Sequence, residues 1–334
     1  MINKQTVRML HQLVEEKIVP GVSYAMLHHG NLQAEVFGKS QLIPVERNLK
    51  PGLLYDVASL TKVIGTTTVI LKLIEEGKIG LDMPVQEYLP HFFDTRVTVR
   101  HLLTHTSAIT GYIQNRDSLT AQQLLDALYT LHIGGWFGKK VVYTDIGMIF
   151  LGLIIEKVYQ KPVQKVITME VLQPLKMNES TFTPAPKDCV PTELSASRGL
   201  ICGQVHDPKA NIIGERCGSA GLFTSLHDVL KFAMWILETS PTKKVLREET
   251  ITELFKDQTP TGQLGRSLGW DLRYNKQNKA CLYHTGFTGT FLLIDKVSQD
   301  GLVVLTNRVH PNSANDIFLA KRDQIIAQYL QEKD

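Results

Sequence analysis

The sequence predicts an α/β protein of the α+β type, in which one sheet is assembled from strands at both ends of the chain and a mostly helical region is inserted into it. Three observations lead there: β-like runs near both ends of the chain, helical periodicity through its middle, and a helical pattern at each terminus. Strands far apart in the chain then share one sheet, with the helical region inserted between them.

Taken in order, Val7, Leu10, Leu13 and Val14 form the stripe of a first helix over 6–16, which Pro20-Gly21 stops. Segments 22–28 and 32–37 flank His29-Gly30-Asn31 and read as antiparallel strands joined at a glycine turn. From 59 to 76 the period becomes 3.6, with Val63, Ile64, Thr67, Ile70, Leu71 and Ile74 on one face and Gly77 as the stop. Helices are predicted at 100–103, 121–129, 147–158 and 226–238. Short strands follow at 268–274, 280–284, 290–295 and 302–306, separated by Asn275, Gly286 and Gly301, and a helix over 316–330 closes the chain.

Composition narrows the function classes. A chain of 334 residues can bury a sizeable core, and 43% hydrophobic with 21% charged residues is an ordinary globular balance. The net charge is +3, with 36 basic residues scattered among 33 acidic ones, so no basic stripe tracks phosphates and nucleic acid is not an expected partner. Cys189, Cys202, Cys217 and Cys281 lack zinc-site spacing and disulfide density and read as free buried thiols. The first residues carry no apolar signal-peptide core, and the longest apolar run, 146–155, is far below the roughly 20 residues of a membrane span. The expectation is a cytoplasmic protein without a membrane span.

Chemistry concentrates in three places. Ser59 and Lys62 stand three residues apart at the start of a strongly periodic helix, where a lysine reaches a serine hydroxyl and helix N–H groups lie near the attacking oxygen. The spacing alone is weak evidence, because Ser240-Pro241-Thr242-Lys243 repeats it in a charged, proline-broken loop, and an N-cap serine beside a solvated lysine is the plain alternative. Tyr143-Thr144-Asp145 precedes a buried helix, where the phenol is placed to relay protons; a loop tyrosine without a role is the alternative. His284-Thr285-Gly286 ends a strand, and glycine there lets a substrate approach so that the N–H of Phe287 acts as an oxyanion donor; a β-bulge at a hairpin is the alternative.

In this order and context the three elements resemble the family of class C β-lactamases, serine DD-peptidases and related esterases. Leu102-Leu103-Thr104-His105-Thr106-Ser107, Ser219-Ala220-Gly221-Leu222-Phe223-Thr224-Ser225 and Gly286-Phe287-Thr288-Gly289 are similar to that family too. The resemblance implies an acyl-enzyme at Ser59, with Lys62 and Tyr143 catalytic and Asp145, His284, Thr285, Gly286 and Phe287 binding substrate. It implies a β-lactamase/transpeptidase-like fold, an antiparallel sheet flanked by the N- and C-terminal helices plus a mostly helical subdomain, in one catalytic domain over 1–334, with the sheet region at 1–58 and about 200–334 and the mostly helical region at about 59–199.

Two departures steer the substrate. Histidine replaces the lysine of the β-lactamases at 284, and with a reference pKa of about 6.5 it is mostly neutral at pH 7, so anionic substrates lose an anchor. Asp145 stands where asparagine is usual; a carboxylate cannot donate to a substrate amide, but it can hold Lys62 charged and shift the base role toward Tyr143. The expected activity is hydrolysis of an ester or a small amide, or of a short peptide as in a carboxypeptidase. The alternatives are a penicillin-binding sensor that is acylated but turns over poorly, a weak β-lactamase, and acyl transfer to a second substrate.

Other candidates are weaker. The pairs His28-His29 and His101 with His105 lack a third ligand, so no metal and no cofactor are expected. His206-Asp207 has no Gly-x-Ser-x-Gly partner for a triad and reads as a loop contact near the site. Tyr112, Trp136 and Phe137 are either lining for an acyl cavity or loop packing, with packing favoured.

Overall fold

The computed structural model describes residues 3–239 and 245–332. The second Ser-x-x-Lys, Ser240 to Lys243, lies outside the described residues. Alternating side chains build the centre of the fold. In strand Gly21–His28, Val22, Tyr24 and Met26 face one side while Ala25 and Leu27 face the other, as a strand buried on both faces requires.

That strand pairs antiparallel with Asp300–Thr306 in the register Val22↔Thr306 to His28↔Asp300, so the two ends of the chain meet at mid-sheet. The seven strands run in the order Asp271–Tyr274, Ala280–Thr285, Phe291–Asp295, Asp300–Thr306, Gly21–His28, Asn31–Gln41 and Arg47–Asn48. A two-residue turn, His29-Gly30 with both φ positive, closes the first hairpin at the predicted place. The strand expected from 268 begins only at 271, because Gly269, at φ +78°, turns the chain and donates its N–H to the Leu103 carbonyl.

One face of the sheet is covered by the terminal helices Lys4–Glu15 and Asp316–Gln331, through Leu10 and Leu13 against Phe318, Ile325 and Tyr329. The other face carries the larger core, shared with helix Leu226–Ile236 and the helical region. Among the described residues no helix is long and apolar enough to cross a membrane. Cys189, Cys217 and Cys281 are buried, Cys202 is half-buried, and among the described residues no disulfide joins them.

The segment after Ser59 departs from the regular period that its sequence suggests. Residues Lys62–Thr67 form a π-helix, followed by the α-helix Thr68–Glu75, and the Thr68 hydroxyl donates to the Val63 carbonyl five residues back. Residues 61–71 are buried all round, so the packing of neighbours, and no single amphipathic face, selects the wider turn.

Helix Asp145–Tyr159 is likewise apolar all round, buried from Gly147 to Ile155. Gly152 lies against Gly218, where an added Cβ would come within 3.2 Å of backbone. That approach brings segment 217–222 between this helix and the π-helix.

Gly286 has a comparable role at the strand end. A Cβ there would fall on the Val57 carbonyl oxygen and the Thr290 hydroxyl. Gly286→Ala is therefore expected to destabilise the fold by about 1–3 kcal/mol through overpacking. Urea unfolding tests this, and an unchanged midpoint would contradict the contact.

Candidate active site

Ser59 is placed by strain and by a buried carboxylate. Ala58 takes a left-handed backbone, φ +44°, at a cost of about 1–2 kcal/mol for a residue with a Cβ. The buried Asp56 holds it there by accepting the Ala58 N–H at 2.9 Å and the His206 N–H at 2.7 Å. Burial raises the Asp56 carboxyl above its ordinary pKa, against the pull of those two donors.

Segment 54–58 is also tied to its surroundings. Tyr55–Asp56 pairs with Phe223–Thr224, Val57 N–H donates to Leu222, and the Thr288 hydroxyl donates to the Asp56 carbonyl. The N–H groups of Ser59 and Phe287 find no acceptor among the described residues. Both are available to a bound oxyanion.

Lys62 is 1% exposed, and its ammonium donates to three acceptors: Ser59 Oγ at 2.7 Å, the Ser219 carbonyl at 2.8 Å and Asp145 Oδ1 at 2.8 Å. Burial alone would lower its pKa, but Tyr143 and Asp145 overcome that and hold it above the ordinary lysine value. The resting lysine is an ammonium with every N–H engaged. It orients Ser59 and, while charged, cannot take the hydroxyl proton.

Asp145 is spanned by two cations, Lys62 on Oδ1 and Lys209 on Oδ2 at 2.9 Å. Burial would raise its carboxyl, yet the two lysines hold it well below the usual carboxylate range. The Thr144 side chain caps the helix that follows, accepting the Ile146 N–H at 3.2 Å.

Tyr143 is 46% exposed. Val142 N–H donates to the His105 carbonyl and Thr144 N–H to His105 Nδ1, which fixes the backbone on both sides of the tyrosine. The His105 ring lies 4.6 Å from that of Tyr143; Lys62 Nζ is 5.3 Å and the Arg266 guanidinium 5.6 Å from the Tyr143 ring centre. Burial, then the charges of Arg266 and Lys62, push His105 well below its ordinary pKa, so its ring is neutral.

His284 is neutral for the same reasons, being 3% exposed and beside the same two cations. Its Nδ1 donates to the Thr285 carbonyl at 3.0 Å, and its ring lies 6.0 Å from that of Tyr143. It supports the Tyr143 side of the site from within the core and lines neither neighbouring cavity. Thr285 is the last residue of its strand, paired with Phe291, and Gly286 follows it with its N–H on the Thr290 carbonyl. Phe287 reaches the cleft: its ring stacks on His206 at 5.4 Å, and its carbonyl accepts from Arg308 at 2.8 Å.

Two cavities meet at Tyr143 and Asp145. One of about 350 Å³ opens on Ser59, between Ala58, His206 and Phe287, and the other, about 580 Å³, lies between Tyr112, Asn115, Leu124, Leu131 and Lys209. His206 is thus a wall of the site, anchored by Nε2 on Glu193 at 2.9 Å. Of the three loop aromatics, Tyr112 lines the larger cavity and Phe137 packs on His101, with ring centres 4.5 Å apart; Trp136 has a buried indole N–H.

The histidine pairs weighed as metal ligands have other partners. His28 is bonded to Asp300, His101 to Thr98 and His105 to Thr144. Among the described residues, Glu179, His227 and Asp228 do lie within 4.8 Å of one another. Asp228, however, is already engaged by Ser180, the Glu179 N–H and Lys231.

Sequence reading missed Asp56, Arg266 and Lys209. For Lys209 a local signal existed: Asp207-Pro208 is an N-cap followed by proline at the first helical position, and helix Pro208–Ile213 begins there with Asp207 accepting the Ala210 N–H. No local signal aims Lys209 at Asp145. That depends on where the short helix packs.

This fold, a seven-stranded antiparallel sheet with the terminal helices on one face and a helical region on the other, is shared with a class C β-lactamase and a penicillin-binding protein homologue. A class C β-lactamase superposes with a TM-score of 0.78 at 20% identity, covering 98% of this chain and 95% of that one. The chain belongs to the β-lactamase family of serine hydrolases: the Beta-lactamase family profile matches residues 7–324. It is 26% identical to a putative D-alanyl-D-alanine carboxypeptidase of Salmonella agona, over 78% of this chain and 71% of that protein. It is 25% identical to an N-acetylmuramyl-L-alanine amidase of Bacillus subtilis, over 91% and 81%.

Proposed function

We propose that this protein forms an acyl-enzyme at Ser59 and hydrolyses esters or small amides, short peptides among them, with slow or absent turnover of penicillins. The observation that carries the reading is the three-way bond of the Lys62 ammonium to Ser59 Oγ, the Ser219 carbonyl and Asp145. Ser59 and Phe287 both line the smaller cavity, and their N–H groups have no acceptor among the described residues.

Because Lys62 is charged, the proton of Ser59 passes by way of Tyr143. The phenol oxygen accepts it as the phenol gives its own proton to the leaving group, so the tyrosine ends as it began. Water then attacks the acyl carbonyl by the reverse relay. The N–H groups of Ser59 and Phe287 hold the oxyanion in both steps.

Neutral, buried His284 and ion-paired Asp145 support the proposed substrate preference. The first supplies no fixed charge to a substrate carboxylate, and the second offers no N–H to a substrate amide. Relatives named as a carboxypeptidase and an amidase support a small amide or short peptide as one substrate class.

A panel of short-chain esters, D-Ala-D-Ala peptides and nitrocefin tests this, together with mass spectrometry after a short pulse of p-nitrophenyl acetate. The expected result is transient acylation of Ser59, and kcat/KM on the best ester at least about 100-fold above that on nitrocefin, equivalent to roughly 2.7 kcal/mol. Comparable nitrocefin turnover would overturn the substrate reading. A persistent adduct without turnover would identify an acylated sensor instead.

A further inference from the structure

We propose that Lys209 is a positioning residue of this site: it holds one oxygen of Asp145, leaves the other to Lys62, and so keeps the Lys62 ammonium in place beside Ser59. The inference rests on the proposed role of Ser59 as nucleophile and goes beyond it by assigning the outer half of the charge relay.

The geometry is a chain of alternating charges. Lys62 lies 2.8 Å from Asp145 Oδ1, Asp145 Oδ2 lies 2.9 Å from Lys209, and Lys209 lies 3.4 Å from Asp207. Lys62 is buried, and the side chains of Asp145 and Lys209 are 24% and 17% exposed, so solvent screens the chain only in part. Three separate segments contribute, the π-helix, the start of helix Asp145–Tyr159 and the start of helix Pro208–Ile213.

A carboxylate held by a single ammonium can rotate about its Cβ–Cγ bond and exchange oxygens. A second ammonium on the other oxygen removes that freedom and fixes the plane of the group. Lys62 needs the fixed acceptor, because its other two N–H bonds, to Ser59 and Ser219, set the direction of the third.

The remaining charged or titratable groups near this chain cannot replace Lys209. On the Lys62 side, His105 and His284 are neutral, Tyr143 carries no cation, and the Arg266 guanidinium lies over the Tyr143 ring and is bonded to the Gly269 carbonyl at 3.3 Å. Beyond Lys209, the Arg116 guanidinium is bonded to Asp117 at 2.8 Å. Asp207 is an anion that also caps its own helix.

The test is the second-order rate of Ser59 labelling by a fluorophosphonate on the full chain, followed from acid to alkaline pH. Lys209→Gln, Lys209→Met and Lys209→Arg are each made in the native and the Asp145→Asn backgrounds, with Ser59→Ala as control and a thermal melt of every protein. Lys209→Gln is expected to slow labelling about 10- to 100-fold in the native background and by less than about twofold in the Asp145→Asn background, where a neutral amide replaces the carboxylate. Lys209→Arg stays within about threefold. The acid limb of the Lys209→Gln profile moves to higher pH, because Asp145 with one cation fewer takes up its proton sooner.

Equal slowing in both backgrounds, or an unmoved acid limb, would overturn the assignment. So would failure of both Lys209→Gln and Lys209→Met to fold while Asp145→Asn folds, which marks a structural lysine. Labelling that survives Ser59→Ala unchanged defeats the nucleophile reading itself. Labelling lost in Ser59→Ala with Lys209→Gln silent defeats the Lys209 inference alone.

Discussion

Ser59→Ala is expected to lower kcat/KM on the best ester by on the order of 10⁴-fold or more, leaving only what binding and the two free N–H groups provide. The substitution removes the oxygen that Lys62 orients at 2.7 Å, and with it the covalent route. Fold stability is expected to change by no more than about 1 kcal/mol, because Lys62 keeps its bonds to Ser219 and Asp145. Steady-state kinetics beside a thermal melt check both parts. Turnover within tenfold of the wild type, a loss of only about 1.4 kcal/mol of transition-state stabilisation, would remove Ser59 from the mechanism.

Lys62→Met carries the second large effect, a loss of on the order of 10³-fold in kcat accompanied by a lower melting temperature. The activity falls because the hydroxyl is no longer held toward the cleft and no cation stands beside it in the transition state. Stability falls because a buried ion pair is broken on one side, which typically costs about 3–5 kcal/mol, with Lys209 retaining Asp145 and placing the loss near the lower end. Burst kinetics separate the acylation step from deacylation, and differential scanning calorimetry reads the stability. A variant that melts lower yet acylates at the native rate would leave Lys62 a purely structural role.

Much of the fold was legible because its cause is local. The terminal helices, the first hairpin at His29-Gly30 and the strands before and after Gly286 all follow from periodicity and turn residues within a few positions. The π-helix over Lys62–Thr67 was not legible, since its sequence has the same apolar spacing as an α-helix and only the packing around it selects the wider turn. The site divides in the same way. Ser59, Tyr143, Asp145 and Phe287 line one cleft and the buried Lys62 reaches it through its bond to Ser59, whereas His284 lies in the core without lining the cleft, a distinction invisible in His-Thr-Gly as a string of residues.

What the sequence determined by itself is which side chains are candidates for the proposed chemistry and which elements bear them. Residue chemistry and short-range pattern are properties of neighbouring positions. What only the tertiary structure decided is the charge state and company of those groups: that Lys62 is a fully engaged ammonium, that Asp145 is shared between Lys62 and Lys209, and that Asp56 holds the strained Ala58 in front of Ser59. The physical reason is that a pKa and an ion pair depend on burial and on distances of a few ångströms between segments as far apart in the chain as those of Lys62, Asp145 and Lys209.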